Sequence, residues 1–255
     1  MKYWIVCKKD EISKNIENIL TKEIQLLKNE QNPDLVIVIG GDGTFISAVH
    51  QFPNAIFLGI HTGHLGFYAN YTVQTLPELI ENVNKQNYII EKVDVLECEF
   101  VTNNQKIHTF ALNEVTIIKP PKTLLLNVYV DDEKLETFRG TGLCISTAYG
   151  STAYNKSLFG AVVEPNIKAF QITEIAGINS NQFRTLSAPL VLSNERKIKL
   201  EVLKQEEVFI TIDHLSYHFK DFSNATVQLK TEQISLAHPK QNSFIERIKR
   251  TFLKD

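Results

Sequence analysis

The chain has 255 residues, 43% of them hydrophobic, which is ample for a core and long for one domain, so two domains are expected. A formal net charge of −2 offers no global basic field for nucleic acid or an anionic membrane, which leaves small molecules as the expected partners. Cys7, Cys98 and Cys144 are odd in number, far apart and without metal-ligand spacing, so they read as small buried apolar groups in a reducing compartment. From the N-terminus, Tyr3 to Cys7 is a first strand, too short an apolar run for a signal peptide. No later stretch is apolar enough to span a bilayer, and a cytoplasmic location is expected.

Ile12, Ile16, Ile19, Leu20, Ile24 and Leu27 recur at helical spacing among lysines and glutamates, and Pro33 closes that helical region. Val36 to Ile39 is a buried strand, followed by a glycine-rich turn, a helix through Ala48 and Val49 that stops near Pro53, and a third apolar run from Ala55 to Ile60. Thr75-Leu76-Pro77-Glu78 has the form of a capping box opening a helix with Leu79, Ile80 and Val83 on one face. Short apolar strands alternating with helices predict a parallel sheet covered on both faces, a Rossmann-like α/β domain over residues 1–88.

After residue 88 the pattern changes to strand-like segments at 88–101, 106–118, 124–138, 142–147, 197–203, 207–212, 216–220 and 225–230. These predict an all-β second domain over 89–240, a β-sandwich, with one helix-like insert near 151–160. From Ser243 the apolar stripe Phe244, Ile248 and Phe252 predicts a helix over 243–253 that docks back on the protein, packing on the α/β domain.

Chemistry concentrates in two places. Gly40-Gly41-Asp42-Gly43-Thr44 follows a buried strand, and glycines there let bare backbone N–H groups converge on phosphate oxygens. A carboxylate repels phosphate, so Asp42 suits a residue that handles a metal ion or takes a proton from an attacking hydroxyl. Read alone, the stretch fits a tight turn with a solvated aspartate equally well. The next loop, His61-Thr62-Gly63-His64-Leu65-Gly66-Phe67, leaves a neighbouring strand end and faces the same crevice. Its two histidines lack a third ligand and take structural roles, and Phe67 alone reads as core. In the second domain, Asn113-Glu114 interrupts an apolar strand; a sugar diol would satisfy both, although a surface-facing polar pair is the commoner reading of two such residues. Arg139-Gly140-Thr141-Gly142 and Gly150-Ser151-Thr152-Ala153-Tyr154-Asn155-Lys156-Ser157 bracket a strand with glycine turns and hydroxyls, a pattern of a backbone-rich pocket.

Taken together and in this order, Gly40-Gly41-Asp42-Gly43-Thr44, Asn113-Glu114 and Gly150 to Ser157 resemble the NAD kinase family over nearly the whole chain, most closely its low-GC Gram-positive bacterial type, judged from residues 61–68 and 212–216. The first motif alone is shared with diacylglycerol kinases. The resemblance implies phosphorylation of the 2′-hydroxyl of the adenosine ribose of NAD by ATP, or by polyphosphate in some members, with a divalent metal, usually Mg²⁺. It makes Asp42 the general base, and Gly41 and Gly43 the backbone approach to the phosphates. Asn113 and Glu114 become ribose and adenine contacts, Phe67 a wall of the adenine pocket, and Thr152, Ala153, Tyr154 and Ser157 the adenosine-binding set. Arg139, Ala176 and His214 match positions near the nicotinamide end or the neighbouring subunit's site. A homodimer or homotetramer with shared sites is likewise implied.

Thr141 departs from the pattern, because family members carry Asp after the Arg-Gly pair. A hydroxyl in place of a charge-assisted acceptor costs on the order of 1.5–3 kcal/mol, a roughly ten- to hundredfold weaker hold on the nucleotide. Two other readings have discriminating measurements. A lipid kinase would act on diacylglycerol and not on NAD, and a dinucleotide-binding regulator would bind NAD without ordinary turnover.

Overall fold

The computed structural model describes residues 1–63, 66–240 and 243–253. The chain divides into two compact units, Met1–Val93 with Ile234–Asp255, and Asp94–Gln233. The change of composition near residue 88 marks the start of a strand, and the division itself falls inside continuous strands.

The first unit begins with β1 (Lys2–Cys7), α1 (Glu11–Glu23), β2 (Leu27–Lys28), β3 (Leu35–Ile39), α2 (Asp42–Gln51), β4 (Ile56–His61), β5 (Tyr71–Thr72) and α3 (Leu76–Asn84). β2, β1, β3 and β4 lie side by side and all run parallel. Every residue of β3 is buried, as expected of a parallel strand covered on both faces. Leu35, Ile37 and Ile39 pack with Ile16 and Leu20 of α1 and with Leu79 and Val83 of α3.

Two local expectations fail here. The apolar spacing predicted a first helix reaching Leu27, yet α1 stops at Glu23. The Asn84 side chain takes over at that point: its Oδ1 accepts the Gln25 N–H at 2.9 Å and its Nδ2 donates to the Glu23 carbonyl at 3.0 Å, and Leu27 then joins the sheet edge, 64% exposed. The capping box at Thr75 does not form. Thr75 has ψ 14°, outside the extended region that aims a capping hydroxyl at the helix, and its Oγ1 instead accepts the Thr72 N–H at 2.9 Å.

The second unit is all-β. β6 (Ile89–Thr102) enters it from the first unit, and β7 (Lys106–Ala111), β8 (Glu114–Ile118), β9 (Leu124–Val130), β10 (Glu133–Gly140) and β11 (Gly142–Thr147) follow. A 3₁₀ turn (Gly150–Thr152), the short α4 (Tyr154–Ser157), β12 (Ala169–Ile175), β13 (Leu190–Ser193), β14 (Lys197–Ile212) and β15 (Leu215–His238) complete it, β15 running on into the first unit. The antiparallel order is β13, β12, β11, β8, β14, β15. The first half of β14 also pairs with β9, and β9 with β10. Leu96, Phe100, Val115, Ile117, Leu126, Val128, Leu143, Ile145, Leu200, Ile210 and Phe222 share one apolar core.

The segments read separately as 197–203 and 207–212 form the single strand β14, bent by register shifts between Glu201 and Val208, and 216–220 and 225–230 likewise belong to one strand, β15. The segment 106–118 is broken at Leu112-Asn113, so Asn113-Glu114 stands at a strand break and not in mid-strand. β12 escaped notice because Gln171 and Thr173 interrupt its apolar alternation. Both are buried and bonded: the Gln171 amide clamps the Ala161 backbone at 3.0 and 2.8 Å, and Thr173 Oγ1 donates to Asn155 Oδ1 at 2.8 Å. They hold the segment around α4 in place.

Back in the first unit, the C-terminal helix α5 (Phe244–Phe252) is capped by Ser243. It packs on Phe67, whose ring centroid lies 6.1 Å from that of Phe244 and 6.3 Å from that of Phe252. Among the described residues no helix is long and apolar enough to cross a membrane.

Candidate active site

In the first unit β3 ends at Ile39 and α2 begins at Asp42, with Gly41 as its N-cap. Gly40 is required by packing, since a Cβ there would lie 2.7 Å from Thr44 Oγ1. Gly41 and Gly43 are different. A Cβ on either would meet no described residue within 4 Å, so none of the described neighbours demands a glycine there.

Asp42 is the first residue of α2, yet its carboxylate faces the following loop. Phe67 N–H donates to both its oxygens, at 3.0 and 2.8 Å, and Tyr68 N–H donates to Oδ1 at 3.1 Å. Gly66 makes this approach possible, because a Cβ there would sit 2.1 Å from Asp42 Oδ1. Phe45 and Tyr68 stack at 5.0 Å and tie helix and loop together. Loop and glycine turn therefore do share one place, as their strand ends predicted. The Phe67 ring is 5% exposed beneath α5, with the Arg247 guanidinium 5.4 Å above it. What Phe67 gives the loop is its backbone N–H, while its ring does the work of core, as the residue read alone suggested. His61 Nδ1 lies 3.0 Å from the Gly63 carbonyl, a local contact, and His64 lies outside the described residues.

In the second unit, Leu112-Asn113-Glu114 is gripped from two sides. Asp213, at the tight turn between β14 and β15, accepts the N–H groups of Leu112, Asn113 and Glu114 at 2.8, 2.8 and 3.3 Å. Thr147 Oγ1 donates to the Leu112 carbonyl at 2.8 Å and accepts the Gly150 N–H at 2.9 Å. A Cβ on Gly150 would fall 2.0 Å from the Asn113 carbonyl oxygen, so this glycine is there for backbone approach. The Glu114 carboxyl is largely enclosed, and its Oε2 has no hydrogen-bond partner among the described residues. Burial, reinforced by the charge of Asp213, pushes it up to about 8, against a hydrogen bond from the Tyr154 backbone. Asn155 is fully buried, with Nδ2 lacking a partner. Two enclosed polar atoms left unsatisfied near one backbone turn mark a place suited to a polar ligand.

The adenosine-binding set implied by resemblance lies on this turn. Thr152 Oγ1 donates to the Tyr149 carbonyl at 3.1 Å, Thr152 and Ala153 are half-buried, and Tyr154 and Ser157 are exposed. His214 is exposed and follows Asp213 in the turn between β14 and β15.

Arg139, Thr141 and Ala176 form a second cluster at the other end of β11. The Arg139 guanidinium stacks 5.0 Å over the Phe183 ring, and its carbonyl accepts the Ile178 N–H at 2.7 Å. Thr141 N–H donates to the Ile175 carbonyl at 3.0 Å, and Ala176 follows with φ 48°. Gly140 and Gly142 are demanded by close strands, since Cβ atoms there would meet the Ala176 carbonyl oxygen at 2.8 Å and the Ile117 carbonyl oxygen at 2.2 Å. The two clusters are separated by β11, roughly 17–20 Å for a strand of that length. Asp213 and Thr147, which shape the first cluster, were not picked out as site residues. A lone Asp between two strands reads as a turn former, and a Thr inside a buried strand reads as packing.

A glycine turn with an anchored carboxylate at the mouth of a parallel strand is the equipment of an enzyme that moves a phosphoryl group to a hydroxyl. Comparison with known proteins names the family. Residues 5–88 match the ATP-NAD kinase N-terminal domain, and residues 112–229 match the ATP-NAD kinase C-terminal domain. The NAD kinase of Enterococcus faecalis is 37% identical, with 99% of each chain covered. NAD kinase 1 of Halalkalibacterium halodurans is 35% identical over 100% of both chains. Among solved structures, an NAD kinase from Archaeoglobus fulgidus in complex with ATP superposes with a TM-score of 0.76 at 26% identity, covering 99% of this chain and 97% of that one. Yeast NADH kinase complexed with NADH gives 0.82 at 20% identity, covering 98% and 86%, a likeness of fold alone. The chain belongs to the NAD kinase family.

Proposed function

We infer that this chain phosphorylates NAD to NADP with ATP, and that Asp42 is the base that receives the proton. The observation that carries the assignment of Asp42 is its carboxylate, held by the Phe67 and Tyr68 N–H groups beside a turn where no described residue crowds Gly41 or Gly43. In the step, the 2′-oxygen of the adenosine ribose attacks the terminal phosphorus of ATP. The new O–P bond forms as the bond to the ADP oxygen breaks, and the hydroxyl proton passes to Asp42. Positioning and charge stabilisation supply most of the acceleration in such a transfer.

The adenosine end belongs to Asn113, Glu114, Thr152, Ala153, Tyr154 and Ser157. With its pKa near 8, Glu114 is largely a carboxylic acid at neutral pH and can donate as well as accept. Arg139, Thr141 and Ala176 take the nicotinamide end, and a span of roughly 17–20 Å between clusters suits a dinucleotide more than a mononucleotide. By resemblance His214 goes with the nicotinamide end or the neighbouring subunit's site.

Mg²⁺ enters with the donor. Among the described residues no three His, Cys, Asp or Glu side chains converge as a metal cage, and Mg²⁺ is commonly held largely by substrate phosphates and water. Held by the donor's phosphates, the ion would supply neutralising charge for the triphosphate, and Asp42 keeps its role as the base. A homodimer or homotetramer in the cytoplasm completes the reading. The test is NADP formation from NAD, ATP and Mg²⁺ by purified protein. Asp42→Asn should lower kcat at least about 100-fold. Equal turnover in the two proteins removes Asp42 from its role.

A further inference from the structure

α5 covers the loop that holds Asp42, and it brings two arginines with it. Arg247 is 5% exposed, with its guanidinium over Phe67. Arg250 follows three residues later, on the same side of the helix. Its Nε and Nη2 are shut off from water and have no hydrogen-bond acceptor among the described residues. Burial and the charge of Arg247 hold this guanidinium below the usual arginine range, and Asp42 acts in the opposite direction.

A guanidinium that has given up water without gaining an acceptor is unfavourable, and so are two cations side by side. Asp42 answers only part of this. Its carboxylate already accepts the Phe67 and Tyr68 N–H groups. The first N–H groups of α2 add partial positive charge at the same turn. Two donors of Arg250 stay unmatched among the described residues, and its fork suits phosphate oxygens.

We propose that Arg250 is a phosphate-binding residue that holds the terminal phosphate of the donor at the Gly41–Gly43 turn. The inference rests on the kinase reading for the identity of the donor, and on the buried donors of Arg250 for the presence of an anion. A lysine would keep the charge and lose the fork. A glutamine would keep a polar end on a shorter side chain and lose both.

The experiment compares wild type, Arg250→Lys and Arg250→Gln by steady-state kinetics in ATP and in NAD, and by the thermal protection that inorganic tripolyphosphate gives each protein. In Arg250→Gln the KM for ATP should rise about 10- to 100-fold, the loss expected for a charge-assisted contact. Arg250→Lys should fall between it and wild type, with the KM for NAD unchanged in both and tripolyphosphate protection lost in Arg250→Gln. If Arg250→Gln fails to fold, Arg250→Lys carries the same comparison. An unchanged KM for ATP with intact tripolyphosphate protection overturns the assignment, and so does a rise confined to NAD or to inhibition by NADP. Wild type that forms no NADP would sink the kinase reading alone, since tripolyphosphate protection would still report on Arg250.

Discussion

Replacing Glu114 by Gln should flatten the pH dependence of stability between about pH 5 and 8. The carboxyl is enclosed beside Asp213, and its pKa in the folded protein lies near 8, above the 4.5 of an ordinary glutamate. Below about pH 4.5 the group is protonated in both folded and unfolded chains and adds no pH dependence. Between the two values the unfolded chain releases the proton and the folded chain keeps it, so the folded state binds more protons and stability falls as pH rises. The slope is about 1.4 kcal/mol per pH unit, or about 2–3 kcal/mol between pH 6 and 8. Above pH 8 the cost is fully present. Gln keeps the size and an acceptor for the Tyr154 N–H but cannot ionise. Urea unfolding of wild type and Glu114→Gln at half-unit steps from pH 5.5 to 9 measures the difference, in which the titration of all other groups cancels. Glu114→Gln should gain on wild type steadily across pH 6–8. Two curves that run parallel would refute the reasoning, and Glu114 would then be ionised in the folded protein at neutral pH.

Gly66→Ala places a methyl 2.1 Å from Asp42 Oδ1, so the short carboxylate side chain has to swing away while the backbone stays. Turnover should fall about 10- to 100-fold, as for a roughly 1 Å misplacement of a reacting group, with a thermal midpoint near that of wild type. An unchanged kcat would show that the carboxylate position does not matter. Thr141→Asp restores a charged acceptor beside Arg139 and should lower the KM for NAD about tenfold or more, with kcat largely kept. An unaltered KM for NAD ends that explanation.

Much of the first unit was legible because its code is local. The buried run Leu35–Ile39, the glycine turn after it and the helix that follows leave few alternatives for a strand, a turn and a helix. α1 was read too long because Ile24 and Leu27 keep helical spacing, and only Asn84, distant in sequence, ends the helix. β12 was invisible for a related reason: Gln171 and Thr173 are buried polar residues whose partners lie in the segment around α4. Asp42, Asn113 and Glu114 stood out as polar groups in apolar or glycine-rich surroundings. Their supporting residues Asp213, Thr147 and Gly66 did not, because each acts on backbone groups far along the chain. The glycines at 140, 142 and 150 suggested a ligand pocket, and close packing of backbone accounts for all three.

The first unit is completed by residues after Gln233, since Ser235 and Leu236 pair with Ile56 and Phe57 of β4 and α5 covers Phe67. During synthesis the glycine turn and Asp42 emerge early, but the strand that closes that stretch of the β4 edge emerges only after the whole of the second unit. Until then the growing chain carries an open edge at Ile56 and Phe57 and an aromatic ring without its cover, both invitations to association. The order in which the ribosome delivers the phosphate loop is thus the reverse of the order in which the loop is finished, and a chain stopped before Ile234 lacks part of its first domain as well as the helix that brings Arg250.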